Sequence, residues 1–315
     1  MLASALLLTG CSSGTGESAS ETLAGESTDV APQLSASEAS LAEEPKYTAR
    51  EGLTTILFMG LDKYEKSEND IGYLNDQQCD FLMLFILDEE NQICDVLHLN
   101  RDTMTEIRRL GIGGGVASRF EGQLALSHTY GSGGSDSCIN TVKAVSTFLK
   151  GVNIDHYVAM SMNGLSKLND LVGGVEVEIP LDMTAIDPTF TKGSEVLLTG
   201  DQALAFVRAR GELEDSSNIS RMERQRIYLS KFYEKLLFSS HDDHDFIHRS
   251  LLELSSYITS DMTINQMSDL GDIMETCTLN PFVTIDGEAV VGEEFMEFYA
   301  DEDSLNEVLI SLFTE

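Results

Sequence analysis

The chain has 315 residues, and its 53 aspartates and glutamates against 20 lysines and arginines give it a formal net charge of -33. So acidic a surface excludes nucleic acid as a partner, because a polyanion selects a basic face. Once a polar opening stretch is set aside, the length admits one large domain or two small ones.

The first eleven residues end in Leu8-Thr9-Gly10-Cys11, after an apolar run far too short to cross a bilayer as a helix. The run is similar to the end of a bacterial lipoprotein signal peptide (residues 1–11, truncated), in which the cysteine is lipidated. It lacks the basic n-region of such a peptide, so an ordinary apolar N-terminus is the other reading. Residues 12–47 are Ser, Thr, Glu, Ala and Gly with almost no large apolar side chain. Such a segment cannot bury enough surface to offset its ordering entropy, and it reads as a disordered tether. Residues 48–315 then form the folded part. The other cysteines, Cys79, Cys94, Cys138 and Cys277, make no C-x-x-C pair, which argues against zinc and for buried free thiols.

Thr55 to Gly60 is a short apolar run closed by glycine, the pattern of a strand buried on both faces. Phe81 to Leu87 is a second such run and Ile93 to Leu99 a third, joined to it by the turn Asp88 to Gln92, which predicts a hairpin. If the three strands alternate in direction, one sheet edge collects Asp62, Asp80 and Asn100-Arg101-Asp102-Thr103. Two carboxylates and an arginine at one edge suit a hard divalent cation beside an anionic ligand. Strand-end turn residues are the competing account of Asp80 and Asp102.

Gly111 to Gly115 lacks the lysine and spacing of a phosphate cradle and reads as a surface loop. A helix is predicted from Ser135 to Lys150, a strand from Asp155 to Met162, a helix from Asn163 to Leu171, and an alternating strand from Val175 to Pro180. Interleaved helices and strands with hairpins among them indicate an α/β fold, a three-layer α-β-α arrangement with a central mixed sheet covered by helices. Phe206 to Arg210 is open between strand and helix end; in a strand, Arg208 and Arg210 would share a face. Arg221, Arg224 and Gln225 lie on one side of a helix running to about Phe238. Arginines at a helix N-terminus oppose the macrodipole, and an anion there would be welcomed by guanidiniums and free N–H groups together. Surface pairs with Glu212, Glu214 and Glu223 are the alternative. His241 to His248 reads as a solvated connection, Phe246 to Met274 as an amphipathic helical stretch, Phe282 to Val291 and Glu297 to Tyr299 as short strands, and Ser304 to Phe313 as a last helix.

Six stretches in order carry a resemblance over residues 55–237: Phe58-Met59-Gly60-Leu61-Asp62, Cys79-Asp80, Asn100-Arg101-Asp102-Thr103, Leu171-Val172-Gly173-Gly174-Val175, Gln202 to Arg210, and Ser220-Arg221-Met222-Glu223-Arg224-Gln225. With them the chain resembles the LytR-CpsA-Psr family of extracytoplasmic enzymes. These transfer anionic glycan polymers from an undecaprenyl pyrophosphate carrier to peptidoglycan in cell-wall biogenesis. The resemblance implies magnesium on Asp62 and Asp80, and pyrophosphate held by Arg101, Arg208, Arg210 and Gln225, with Arg221 and Arg224 adding charge. It also implies a hydrophobic groove for the polyprenyl chain, and a domain held at the outer face of the membrane, here through lipid on Cys11. Gln78 stands where the family usually has arginine, and Asn218 where it often has an acid that could serve as general base. Asp102 and Asp215 are the substitutes, and the base stays unassigned. These departures leave open a second class of function, a surface lipoprotein that binds such lipid-linked glycans without turning them over.

Overall fold

The computed structural model describes residues 50–62, 75–211, 213–293 and 295–314; the signal-like run with Cys11, the tether 12–47 and Glu212 lie outside the described residues. Three apolar runs form β1 (Leu53–Leu61), β2 (Cys79–Asp88) and β3 (Ile93–Leu99). Consecutive side chains such as Ile56 and Leu57 are both fully buried, so these strands are covered on two faces. β1 and β2 pair antiparallel, with Leu57 opposite Leu84 and Leu61 opposite Cys79, and β2 and β3 pair antiparallel with Leu82 opposite Leu99. The expected directions therefore hold, and the end of β1, the start of β2 and the end of β3 meet at one edge. Gly60 faces Phe81 there, and a Cβ on it would stand 2.9 Å from the Phe81 Cβ.

The glycine loop caps a hairpin of β4 (Met104–Leu110) and β5 (Val116–Gln123) that was not expected from the sequence. Helix α1 (Ser135–Phe148) is closed by Lys150 and Gly151, both at positive φ. β6 (His156–Ser161) pairs parallel to β1 and runs directly into α2 (Met162–Leu171). β7 (Val175–Glu178) alternates buried and exposed residues as predicted, but pairs only with β8 (Glu195–Leu198), apart from the main sheet. Then come α3 (Gly200–Arg208) and the long α4 (Asn218–Asp242), whose N-cap Ser217 accepts the Ser220 N–H at 3.1 Å.

The stretch read as helical from Phe246 to Met274 is broken into α5 (Phe246–Leu254), β9 (Ile258–Ser260) and α6 (Ile264–Thr276). Residues Ile258 to Ser260 pair with β6 and extend the sheet. A three-residue strand leaves no periodicity to read. β10 (Thr278–Leu279), the hairpin β11 (Gly287–Val291) and β12 (Met296–Ala300), and α7 (Glu302–Phe313) complete the chain.

The main sheet has the order β10-β3-β2-β1-β6-β9 and mixes parallel and antiparallel pairs. One face packs Leu57, Met59, Leu84 and Leu97 against α1 and α7 through Val145, Leu305 and Leu309. The other presents Ile56, Met83, Phe85 and Val158 toward α4 and α6. A third cluster joins the β7–β8 hairpin to α3 and α4 through Val175, Phe190, Phe206 and Tyr228. The three-layer expectation is met. The four cysteines are free and buried, as their isolation in the sequence predicts.

Candidate active site at the sheet edge

Asp62 is bound to the start of the second strand twice, its N–H donating to Gln78 O at 3.1 Å and its Oδ1 accepting the Gln78 N–H at 2.7 Å. Two residues on, the Asp80 carboxylate pairs with Arg101 and, at 3.4 Å, with Arg221. Arg101 also reaches Asp102 Oδ1 at 3.0 Å and Gln78 Oε1 at 3.2 Å. The predicted edge is thus real, and Asp80 and Asp102 are more than turn residues. Gln78 is a neutral prop for Arg101.

A buried amide pair, not foreseen as a unit, carries the edge across to α4. Asn100 Oδ1 accepts the Asp102 N–H at 3.0 Å and the Asn218 Nδ2 at 2.6 Å, while Asn218 Oδ1 accepts from Arg221 Nη2 at 2.6 Å. Arg221 is 3% exposed and its Nε has no partner among the described residues. Burial, then repulsion from Arg101 and Arg210, presses its pKa down to about 9. It remains a cation at neutral pH, in a site short of negative charge.

α3 ends at Arg208 and the chain turns extended at Ala209, which resolves the open choice for this segment as a helix end. Arg208 is exposed and makes no ion pair among the described residues. Arg210 only touches Ser216 O, with its Nε 3.5 Å away. Both are cations without a carboxylate partner among the described residues. Arg224 is different. It is fully buried, its Nε donates to Phe206 O at 3.0 Å, its Nη1 to Ser220 O and Oγ at 3.2 and 3.0 Å, and its Nη2 to Ala209 O. The expectation that Arg224 faces the anion is corrected: its guanidinium is spent on the C-terminal carbonyls of α3, which no intrahelical donor reaches. Gln225 Nε2 approaches Val207 O at 3.4 Å in the same turn. Among the described residues neither Arg221 nor Arg224 pairs with Glu214 or Glu223, and Glu212, the other partner of the surface-pair account, lies outside them.

Below this edge lies a cavity of about 310 Å³ between the sheet and helices α2 to α6. Its walls are apolar, with Phe58, Phe85, Leu168, Leu229, Phe232 and Leu270 among them, and its polar residues include Asp80, Ser161, Arg208, Arg221 and Gln225. For a cation, Asp62 and Asp80 are the hard oxygen donors at the edge. Magnesium usually takes one or two carboxylates and completes its shell with phosphate oxygens and water, so the pair fits it. Among the described residues no group of three or more His, Cys, Asp or Glu gathers around one point.

The model of the LytR_cpsA_psr family matches residues 15–312 of the chain. The polyisoprenyl-teichoic acid–peptidoglycan teichoic acid transferase TagU of Bacillus mycoides (strain KBAB4) is 33% identical over 227 residues, 72% of this chain and 66% of its own length. That of Bacillus cereus (strain ATCC 14579) is 30% identical over 239 residues, 76% of this chain and 69% of its own. Among solved structures, B. subtilis TagV aligns with a TM-score of 0.64 at 25% identity, covering 84% of this chain and 96% of that one. TagT bound to LI-WTA aligns with a TM-score of 0.62 at 19% identity, over 83% and 90%. With the family model spanning nearly the whole chain and the site motifs gathered at one edge, the protein belongs to the LytR_cpsA_psr family.

Proposed function

We propose that the chain transfers an anionic glycan polymer of the teichoic acid class from an undecaprenyl pyrophosphate carrier to peptidoglycan, outside the cell membrane. One observation carries the reading: an apolar cavity whose polar end holds a buried, charge-starved Arg221 with Arg208 and Asp80 beside it. An apolar tail with a diphosphate head satisfies both halves at once. The related TagU proteins, named for polyisoprenyl-linked teichoic acid and peptidoglycan, point to the same substrates.

In this reading the polyprenyl chain fills the cavity and the diphosphate lies across Arg101, Arg208, Arg210 and Arg221. A hydroxyl of the acceptor glycan gives up its proton and its oxygen attacks the glycan-side phosphorus. The bond to the lipid-side phosphate breaks, and undecaprenyl phosphate leaves. Charge spreads over the equatorial oxygens in such a transition state, so positioned guanidiniums do most of the work. Asp62 and Asp80 would be the residues to hold a magnesium ion, which would supply neutralisation of phosphate charge. Asn218 supplies no base; its amide is engaged at both ends, by Asn100 and Arg221. Lipid on Cys11 and the tether would hold the domain at the outer membrane face, and labelling cells with a fatty acid probe, beside Cys11→Ala, tests that anchor.

The test of the activity is magnesium-dependent release of phosphate products from geranylgeranyl pyrophosphate by the purified protein, with Asp62→Ala as control. Turnover that depends on magnesium and disappears in the control supports the transferase. Tight binding with no product in any condition would instead make the chain a non-catalytic binder of lipid-linked glycans.

A further inference from the structure

Ser161 is the last residue of β6 and the N-cap of α2, with φ -73° and ψ 155°. A serine there ordinarily turns its hydroxyl back to accept an N–H from the first turn of the helix. This one does not: no cap hydrogen bond forms, and Ser161 Oγ has no partner among the described residues although Ser161 is only 7% exposed. Ser161 is one of the residues that line the cavity. The parallel pairing sets Ser161 opposite Leu61, so it stands at the same sheet edge as Asp62. Helix α2 has ten residues and no acidic side chain in its first turn, so nothing of its own balances the positive end of its dipole. Met162 and Leu165 of α2 line the same cavity, and so does Arg221, whose Nε is a buried donor without a partner among the described residues.

We propose that Ser161 and the N-terminus of α2, which line the same cavity as Arg221, form with it a subsite for one phosphate esterified to an apolar chain, and that it takes the lipid-side phosphate of the carrier. The inference rests on the transferase reading for the identity of that carrier. Buried hydroxyl, free helix N–H groups and an unpaired guanidinium N–H are all donors, so the missing partner is an anionic oxygen. The apolar walls directly beneath require that the anion carry a hydrocarbon tail. Held this way, the lipid-side phosphate is stabilised as it becomes the leaving group.

Binding of geranylgeranyl monophosphate, geranylgeraniol and inorganic phosphate to the purified protein tests this, with Ser161→Ala, Ser161→Asp and a thermal melt of each. Loss of a hydrogen bond to a charged group should weaken the monophosphate by about ten-fold or more in Ser161→Ala. Geranylgeraniol should bind both proteins equally, and inorganic phosphate should compete only weakly. Aspartate is a good N-cap, so Ser161→Asp should melt no lower than wild type while losing the monophosphate through repulsion. The proposal is overturned if Ser161→Ala binds the monophosphate as wild type does, or if it loses the alcohol equally and melts lower, as a plain helix cap would. Equal competition by inorganic phosphate would assign the subsite to the free ion and also overturn it. If the binding pattern holds but the diphosphate is never turned over, the transferase reading falls while the phosphate subsite stands.

Discussion

Arg224 offers the sharpest separation between a residue that binds the substrate and one that builds the site. Its guanidinium donates to Phe206 O, Ala209 O, Ser220 O and Ser220 Oγ, all in the interior. Arg224→Met keeps much of the volume and removes every donor. Two of the acceptors, Phe206 O and Ala209 O, are then left buried without a partner, at about 1 to 3 kcal/mol each. A total near 4 kcal/mol corresponds to a fall in melting temperature of about 10 °C for a domain of this size. Arg208 is exposed and unpaired among the described residues, so Arg208→Ala should melt like wild type yet lose most of its turnover. Thermal melts and geranylgeranyl pyrophosphate binding on the two variants decide the matter. If Arg224→Met melts as wild type does and loses affinity as Arg208→Ala does, its hydrogen bonds have been misread and Arg224 touches the ligand.

Three further outcomes follow from the packing. Burial, with Arg226 and Arg221 nearby, depresses His98 to about 3, and burial depresses His128 to about 4. The unfolded chain binds these protons from about pH 6.5 downward and the native one does not, so stability present above pH 6.5 is lost as pH falls toward 4 and then 3. Each histidine costs about 2 kcal/mol at pH 5, and unfolding free energies from urea melts at pH 7.5 and 5 should differ by about 4 kcal/mol less in a His98→Gln, His128→Gln double variant. An unchanged difference would assign the acid sensitivity to other groups. Leu229→Trp, on the cavity wall, should abolish binding of geranylgeranyl pyrophosphate but spare dimethylallyl pyrophosphate, whose short tail stays near the mouth; equal loss of both would mean that the tail lies elsewhere. Asn218→Asp sets a carboxylate against Asn100 Oδ1, now 2.6 Å from the amide. It should destabilise the fold by about 1 to 3 kcal/mol and raise KM for the diphosphate, and a variant as stable and active as wild type would remove the amide pair from the site's architecture.

The sheet edge was legible because it depends only on strand direction, and direction follows from a hairpin turn that the sequence spells out. Asp62, Asp80 and Arg101 meet for that reason alone. Roles that depend on how one helix lies against another were not legible. Arg221 and Arg224 share one side of α4 by spacing, yet Arg221 turns to Asp80 and Arg224 to the end of α3. Three residues along a helix leave about 60° between side chains, enough to send one to the ligand and the other into the core. Ser161 was invisible for a related reason: a serine before a helix announces a cap, and only the conformation reveals that the cap is not made.

The two departures from the family pattern acquire a common meaning from their partners. Gln78 holds Asp62 through its backbone and Arg101 through its side-chain carbonyl, while Asn218 holds Arg221 against Asn100. Both orient an arginine through a neutral oxygen. A carboxylate in place of Asn218 would orient Arg221 as well but would also neutralise it, and the site would then have less reason to take up an anion. Asp80 already lies between two guanidiniums, so each added acid lowers the positive potential left for the diphosphate. In a chain with a net charge of -33 that potential is purely local. The neutral Asn218 preserves it while keeping Arg221 in place, and Gln78, though it gives up the charge of the arginine usual there, still props Arg101; both are compatible with a working site, and the search for the general base moves away from position 218.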